Sequence, residues 1–383
     1  MKHLTVAFDP GTSRVKVIYK IGSGKPKLLT MGPEYIVLPA DLADSIESAT
    51  EGFGLALPED EAWVRLKEDG DFHVVGRLAT TFKATTDMDS LKHESSLFKI
   101  LATIGAIAQK EELGRRVALD LAVLLPLSEY KDGEQLYKDL FQHLKSFYFR
   151  GERLRVTLKH WSCLPEGGGI IMSVVNGIGE ERFQENNVCV VMFGHRNTSF
   201  LLFERGSRSP KSCTTDLGFY QMLDKIIAKS SGQSRDSIMQ AFRVTSSDIV
   251  GAYNYSIFSA ALVKTSRAEN REREKQELEQ AITSALKEYW LLLENWLDRL
   301  IPDPRQLERI IICGGAAVFL ESEIRSYFRG ATVDFGTAVW IEQITKHLSL
   351  SIKEKQELAF RLADVYGMFV DFVAAHSESE VVA

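Results

Sequence analysis

The sequence predicts an α/β chain of two domains arranged as an internal duplication. Three observations carry that reading. A length of 383 residues exceeds one ordinary hydrophobic core and fits two. Short apolar strands are interspersed with stretches of helical spacing. A strand–turn–strand opening at residues 3–20 recurs at residues 188–204, so each half begins with the same kind of hairpin.

Residues 3–8 alternate into a strand and 15–20 make a second. The short link Asp9–Arg14 predicts a hairpin between them. Lys27–Thr30 and Glu34–Leu38 read as one or two further strands. The acidic stretch 41–60, with Gly and Pro, reads as irregular surface. Ala62–Lys67 and Phe72–Val75 flank Glu68-Asp69-Gly70-Asp71, a hairpin signal. Leu97–Gln109 is apolar almost all round, as in a buried helix. Val117–Leu125, apolar apart from Asp120, reads as a strand covered on both faces and ended by Pro126. Gly133–Phe147 has helical spacing (Leu136, Leu140, Leu144, Phe147). Leu154–Leu158 alternates as a strand, and Gly167–Val175 opens on three glycines and continues as a helix.

The second half starts near Asn187. Val188–Phe193 is a strand, Arg196–Asn197 a tight turn and Thr198–Glu204 the partner strand. Tyr220–Ser231 reads as a helix. Arg267–Ile301 is a long helix with an apolar stripe at Ile282, Leu286, Trp290, Leu293, Leu297 and Leu300. Its first part, Arg267–Glu279, is dense in both charge signs. It reads as a solvated face held by i,i+4 pairs or as a contact face between subunits. Arg309–Cys313 is a strand that feeds Gly314-Gly315-Ala316-Ala317 and then a helix. Lys353–Val373 forms a last helix, with a short frayed tail from Ser377.

Hydrophobic residues make up 45% and charged residues 26%, the balance of a globular chain. A net charge of −6 argues against broad, sequence-independent DNA binding and leaves DNA as an indirect partner through an adaptor. No apolar run approaches bilayer length, and the opening Met1-Lys2-His3-Leu4 reads as a strand rather than a signal peptide. A cytoplasmic protein with no membrane partner is therefore expected. Cys163, Cys189, Cys213 and Cys313 lack metal or redox spacing and read as buried free thiols.

Three motifs carry chemistry. Asp9-Pro10-Gly11-Thr12-Ser13-Arg14-Val15-Lys16 places a carboxylate at a strand end, then glycine and hydroxyls, then a lysine on the next strand. A turn of small residues points successive backbone N–H groups at a phosphate, and lysine adds a mobile positive charge. Aspartate holds the waters of a hydrated Mg²⁺. Asp-Pro-Gly is also common turn chemistry, so a plain hairpin stays open. Gly194-His195-Arg196-Asn197-Thr198-Ser199 repeats the placement between two apolar strands, with the same alternative. Ile310–Ala317 runs strand, two glycines, two small residues, helix. That order lets backbone approach a flat base or ribose near a helix N-terminus, and a tight turn without ligand is the alternative.

In this order, with Pro165-Glu166-Gly167 between the first two, the motifs resemble the actin-like ATPase superfamily. Asp9–Lys16 matches its phosphate-1 loop, Gly194–Ser199 its phosphate-2 loop and Cys313–Ala317 its adenosine motif. Within it the chain most resembles the ParM/StbA plasmid-segregation proteins. Three features carry this: the Asp9–Lys16 opening, Leu125-Pro126 followed by a helix and Leu164-Pro165-Glu166-Gly167-Gly168-Gly169, and Arg361–Gly367, the segment that returns to the first domain.

The resemblance implies two duplicated RNase H-like domains, residues 1–183 and 184–350, with a nucleotide cleft between them and a C-terminal helix, 351–376, returning to the first. It implies ATP and Mg²⁺ as ligands, ATP hydrolysis, a homo-oligomeric filament, and plasmid segregation through a DNA-binding adaptor. Gly11, Thr12, Ser13 and Arg14 would wrap the phosphates, Lys16 would contact them, and Asp9 would hold Mg²⁺ through water. Glu166 matches the residue that positions the attacking water, or else complements the dipole of the helix it precedes. Gly194, His195, Arg196, Asn197 and Thr198 would form the second phosphate turn. Gly314, Gly315 and Ala316 would face the nucleoside, bordered by Asp224 or Lys225 unless these are a solvated helix face.

One departure matters. The family's second loop opens with Asp-x-Gly, but here the aspartate position is Met192, and the loop carries His195 and Arg196. The expectation is that Arg196 brings positive charge to the γ-phosphate and partly replaces the metal. The alternatives are a small-molecule kinase of the same fold and a nucleotide-binding filament scaffold with little hydrolysis.

Overall fold

The computed structural model of the chain describes residues 1–50, 56–84, 92–245, 253–265, 267–301, 303–335 and 338–377. The chain divides into two compact units, Met1–Ser173 with Asp364–Ala383, and Val174–Ala363.

The first unit contains β1 (Lys2–Asp9), β2 (Val15–Ile21), β3 (Lys27–Met31), β4 (Tyr35–Leu38), α1 (Ala43–Thr50), β5 (Trp63–Arg65), β6 (Phe72–Val75) and α2 (Arg77–Thr81). It continues with α3 (Lys92–Lys110), β7 (Arg116–Leu125), α4 (Gly133–His143), β8 (Phe147–Phe149), β9 (Glu152–Pro165) and the start of α5 (Gly168–Ile178). Among the described residues these strands form one nine-stranded sheet in the order β3-β2-β1-β7-β9-β8-β5-β6-β4. At its centre β1 pairs antiparallel with β2 and parallel with β7, and β7 pairs parallel with β9. Every residue of β7 after Arg116 is buried, which explains its near-continuous apolar run. The core beneath includes Phe8, Ile104, Leu121, Phe147 and Phe149.

The second unit contains α6 (Glu180–Glu185), β10 (Asn187–Phe193), β11 (Thr198–Glu204), β12 (Ser207–Arg208), β13 (Cys213–Thr215), α7 (Phe219–Lys229), α8 (Arg235–Thr245), α9 (Tyr255–Leu262) and α10 (Ala268–Leu300). Then come β14 (Arg309–Cys313), α11 (Glu321–Tyr327), β15 (Val333–Phe335), α12 (Ala338–His347) and the start of α13 (Ile352–Ser377). The sheet order is β12-β11-β10-β14-β15, with β13 paired to β11. Here β10 pairs antiparallel with β11 and parallel with β14, the same local topology as β1 with β2 and β7. The two hairpins close on corresponding pairs, Asp9 opposite Lys16 and Phe193 opposite Thr198. On α10, Ile282, Leu286, Leu293 and Leu297 are buried, as the stripe requires, while Trp290 and Leu300 are half-buried at its margin.

Four expectations need correction. The acidic stretch 41–60 contains a helix, α1, because Ile46 packs into a small core with Leu38, Phe72 and Leu78 while Asp44 and Glu47 face solvent; residues 51–55 lie outside the described residues. Helix α4 stops at His143, and Phe147 opens a strand instead, drawn into register opposite Leu154. Strand β9 runs far beyond Leu158, following β7 through a register shift between Leu119 and Asp120 as far as Pro165. No helix follows Gly314 directly: residues 315–320 are a run of turns, and α11 starts at Glu321.

All four cysteines are free, and burial raises the thiols of Cys163, Cys189 and Cys213, Cys163 to about 12. Among the described residues no helix is long and apolar enough to cross a membrane. The tail beyond Ser377 lies outside the described residues.

Candidate functional site

In the first unit the parallel run of β1, β7 and β9 places their C-terminal ends side by side. Asp9 ends β1, and across the hairpin Lys16 donates from Nζ to Asp9 Oδ2. Both side chains are largely buried, with 9% of the Asp9 and 14% of the Lys16 side chain exposed. The turn between them closes tightly: a Cβ on Gly11 would lie 2.5 Å from the Arg14 carbonyl oxygen. Thr12 is buried, and Ser13 and Arg14 are half-buried. Because β9 continues to Pro165, opposite Leu125, it delivers Glu166 to the same edge. The Glu166 amide donates to the Leu125 carbonyl at 2.8 Å, and the residue is buried.

The cap of α5 comes from elsewhere. Asp364, on α13, accepts from the Gly167 amide at 2.7 Å and from the Ile170 amide at 3.2 Å. Burial pushes the Asp364 carboxyl up to about 7. The Gly167 amide pulls the other way, and the Asp9 and Glu166 carboxylates add to the push. Two amides at this helix start are thus held by Asp364. Motif reading missed the Asp364 cap, although Asp364 lies inside the quoted Arg361–Gly367 segment; an acidic residue one helical turn before Gly367 was the available signal.

In the second unit the turn Gly194–Asn197 is braced by α7. The Phe219 amide donates to the Gly194 carbonyl at 3.1 Å and the Tyr220 amide to the His195 carbonyl at 3.0 Å. The first turn of the helix is thus spent on fixing the loop. Gly194 donates to Asn197 at 3.0 Å, closing the turn. Thr198 Oγ1 donates to the Leu217 carbonyl at 2.7 Å, and so does Tyr289 Oη, from α10, at 3.0 Å. Arg196, Asn197 and Thr198 are all buried.

The third motif docks on the end of β10. Gly314 has φ +89°, a left-handed conformation, and lies against the Phe193 backbone where no side chain fits. The Ala316 amide donates to the Phe193 carbonyl at 3.1 Å. Over Gly315 lies the guanidinium of Arg361; a Cβ there would sit 2.9 Å from Arg361 Nε.

Neither a protein-family model nor a curated protein sequence matches the chain. Solved structures do. Actin-like protein Alp7A is similar over 99% of this chain and 97% of its own, at a TM-score of 0.64 and 14% identity. A 15-stranded ParM filament from Clostridium botulinum matches over 97% and 99%, at 0.57 and 14%. An archaeal actin homolog matches over 97% and 99%, at 0.55 and 16%. The chain has the actin-like fold.

Within that actin-like fold, the first unit brings Asp9, Lys16 and Glu166 to one sheet edge, and the second brings the Gly194–Thr198 turn and the Gly314–Ala316 turn to either side of Phe193. Asp224 and Lys225 are engaged differently. Asp224 makes a bidentate pair with Arg235, at 2.6 Å for each contact, and Lys225 lies 3.6 Å from Glu288. Both are half-exposed on α7 and tied to α8 and α10. Met192 is half-buried at the end of β10, opposite Ser199 and beside Cys313.

The donor set suits a phosphate and a hydrated cation. The first turn offers an ammonium, two hydroxyls and backbone amides, and Asp9 offers carboxylate oxygens. Among the described residues no group of three or more His, Cys, Asp or Glu side chains is arranged to hold a bare metal ion. A hydrated Mg²⁺ needs less: one or two carboxylates, its own waters and phosphate oxygens.

Proposed function

We propose that the chain binds ATP with Mg²⁺, hydrolyses it, and assembles head to tail with copies of itself into filaments that move plasmid DNA through a DNA-binding adaptor. The observation that carries the proposal is the buried Asp9–Lys16 pair closing a turn of glycine and hydroxyl residues. A lysine whose charge is offset by an aspartate is poised to exchange that partner for a phosphate oxygen.

In this reading the Gly11–Arg14 backbone and Lys16 hold the phosphates, and Gly194–Thr198 forms a second phosphate turn with Arg196 as its positive charge. Gly314, Gly315 and Ala316 face the nucleoside, with Asp224 and Lys225 on the neighbouring helix. Asp9 holds the water shell of Mg²⁺, which when bound neutralises charge on the phosphate oxygens. Glu166 orients the attacking water, since phosphoryl transfer to water asks for positioning and charge stabilisation above all. Copies joined by a heterologous contact that does not close build an open filament. The nucleotide controls assembly by binding the assembling conformation more tightly. The acidic net charge is why DNA is assigned to an adaptor.

Met192 favours a second reading. A thioether cannot hold a metal's water shell, so this loop supports a scaffold that binds nucleotide and hydrolyses it slowly. Sedimentation with ATP, ADP or no nucleotide, while released phosphate is measured, tests both. ATP-dependent pelleting with turnover is expected. Pelleting without turnover selects the scaffold. ATP consumption without pelleting, and only when a small acceptor is added, overturns the filament reading in favour of a kinase.

A further inference from the structure

We infer that Asp364 is a positioning residue for Glu166: it clamps the start of α5 from the crossing helix α13 and so fixes the backbone from which Glu166 projects. The inference rests on the hydrolytic reading above.

The segment Pro165-Glu166-Gly167-Gly168 has no Ser, Thr, Asp or Asn to cap the helix it opens. Helix caps are ordinarily local, supplied within the first turn. Here the cap is 197 positions away in sequence. Asp364 Oδ2 accepts from Gly167 and Oδ1 from Ile170, so one carboxylate holds two amides at the helix start with both oxygens. The Glu166 amide is held separately by the Leu125 carbonyl of β7 at 2.8 Å. The amides on either side of the Glu166 Cα are therefore pinned to two different elements. Gly167, at φ +90°, makes the sharp change of direction that this double anchoring requires.

Asp is short, and it reaches α5 because the two helices touch through backbone: a Cβ on Gly169 would collide with the Asp364 carbonyl oxygen. Stability alone does not account for a carboxylate here. Asp364 is buried, and its charge is opposed by burial and by Asp9 and Glu166, which together push it up to about 7. A neutral acceptor would cap the helix without that opposition. Costly groups of this kind persist where a site needs their geometry.

The test compares wild type, Asp364→Ala and Asp364→Asn in the full chain. Three quantities are read: the affinity for ATP, the kcat of hydrolysis, and amide hydrogen exchange at Glu166–Ile170 without nucleotide. Asn keeps one acceptor oxygen and guards against a variant that fails to fold. The expected result is kcat lowered about tenfold or more in Ala and a few-fold in Asn, since small misplacements of a catalytic group cost rates of that order. ATP affinity stays within about threefold, and exchange at Gly167 and Ile170 rises in the same order of variants. Unchanged kcat in folded variants, or kcat and affinity falling together, would overturn the inference while leaving the ATPase reading intact. Absence of turnover in wild type would overturn both. Unchanged exchange at Gly167 and Ile170 would overturn the clamp whatever the kinetics.

Discussion

Gly367 of α13 lies against the carbonyl oxygen of Gly169 in α5, and a Cβ on it would also meet Ser173 Oγ. Within the first unit the start of α5 and the later part of α13 thus cross through bare backbone, and the crossing brings Asp364 within reach of Gly167. An alanine at a helical glycine ordinarily stabilises by about 1 kcal/mol. Here the sign reverses, because the methyl group collides with backbone that cannot move aside. Gly367→Ala should destabilise by about 1–3 kcal/mol, read as a lower urea midpoint with unchanged slope. A raised midpoint would mean that the helices can separate without cost.

Arg196 is buried in the Gly194–Thr198 turn, and Met192 stands two residues ahead of Gly194. If Arg196 takes over part of the metal's charge neutralisation, Arg196→Ala should weaken ATP binding about tenfold at low Mg²⁺ and less as Mg²⁺ is raised. Titrating ATP affinity against Mg²⁺ in both proteins reads this. Parallel curves would assign Arg196 to packing.

His73, on β6, is stacked on Phe98 at 3.5 Å between ring centroids and bonded through Nδ1 to the Tyr35 hydroxyl at 2.7 Å. Burial lowers it to about 4; Asp71 opposes that shift and His143 adds to it. The folded state therefore favours neutral His73. The stability it contributes is complete above about pH 6.5 and is lost as pH falls from there toward 4. With partial solvent screening the loss is on the order of 1–2 kcal/mol. Unfolding free energies from urea titrations at pH 7.5 and pH 5 should differ by that amount in wild type and by less in His73→Phe. An equal slope in both would place the pH dependence elsewhere.

Both hairpins, the buried strand β7 and the long helix α10 were legible because each is written locally, in turn chemistry, in an unbroken apolar run or in one periodic stripe. Asp9 at a strand end and Lys16 on the next strand were legible from the hairpin, and the register then puts them opposite each other. What escaped depends on partners distant in sequence. Asp364 becomes a cap only when α13 returns to the first unit. Ile46 organises α1 only because β4 and β6 supply its neighbours. Phe147 fits a helical stripe as well as a strand, and the pairing with Leu154 decides it. The ties of Asp224 and Lys225 could not be read because Arg235 and Glu288, their partners, sit on other helices.

The central claim is that the Asp9–Lys16 turn binds nucleotide phosphate, and calorimetric titration of the wild-type chain and Lys16→Met with ATP and Mg²⁺ tests it most directly. The account predicts saturable binding of one ATP per chain in wild type, weakened at least about tenfold by the substitution, or about 1.4 kcal/mol. Absence of saturable binding in wild type, or equal affinity in a folded Lys16→Met, would contradict it.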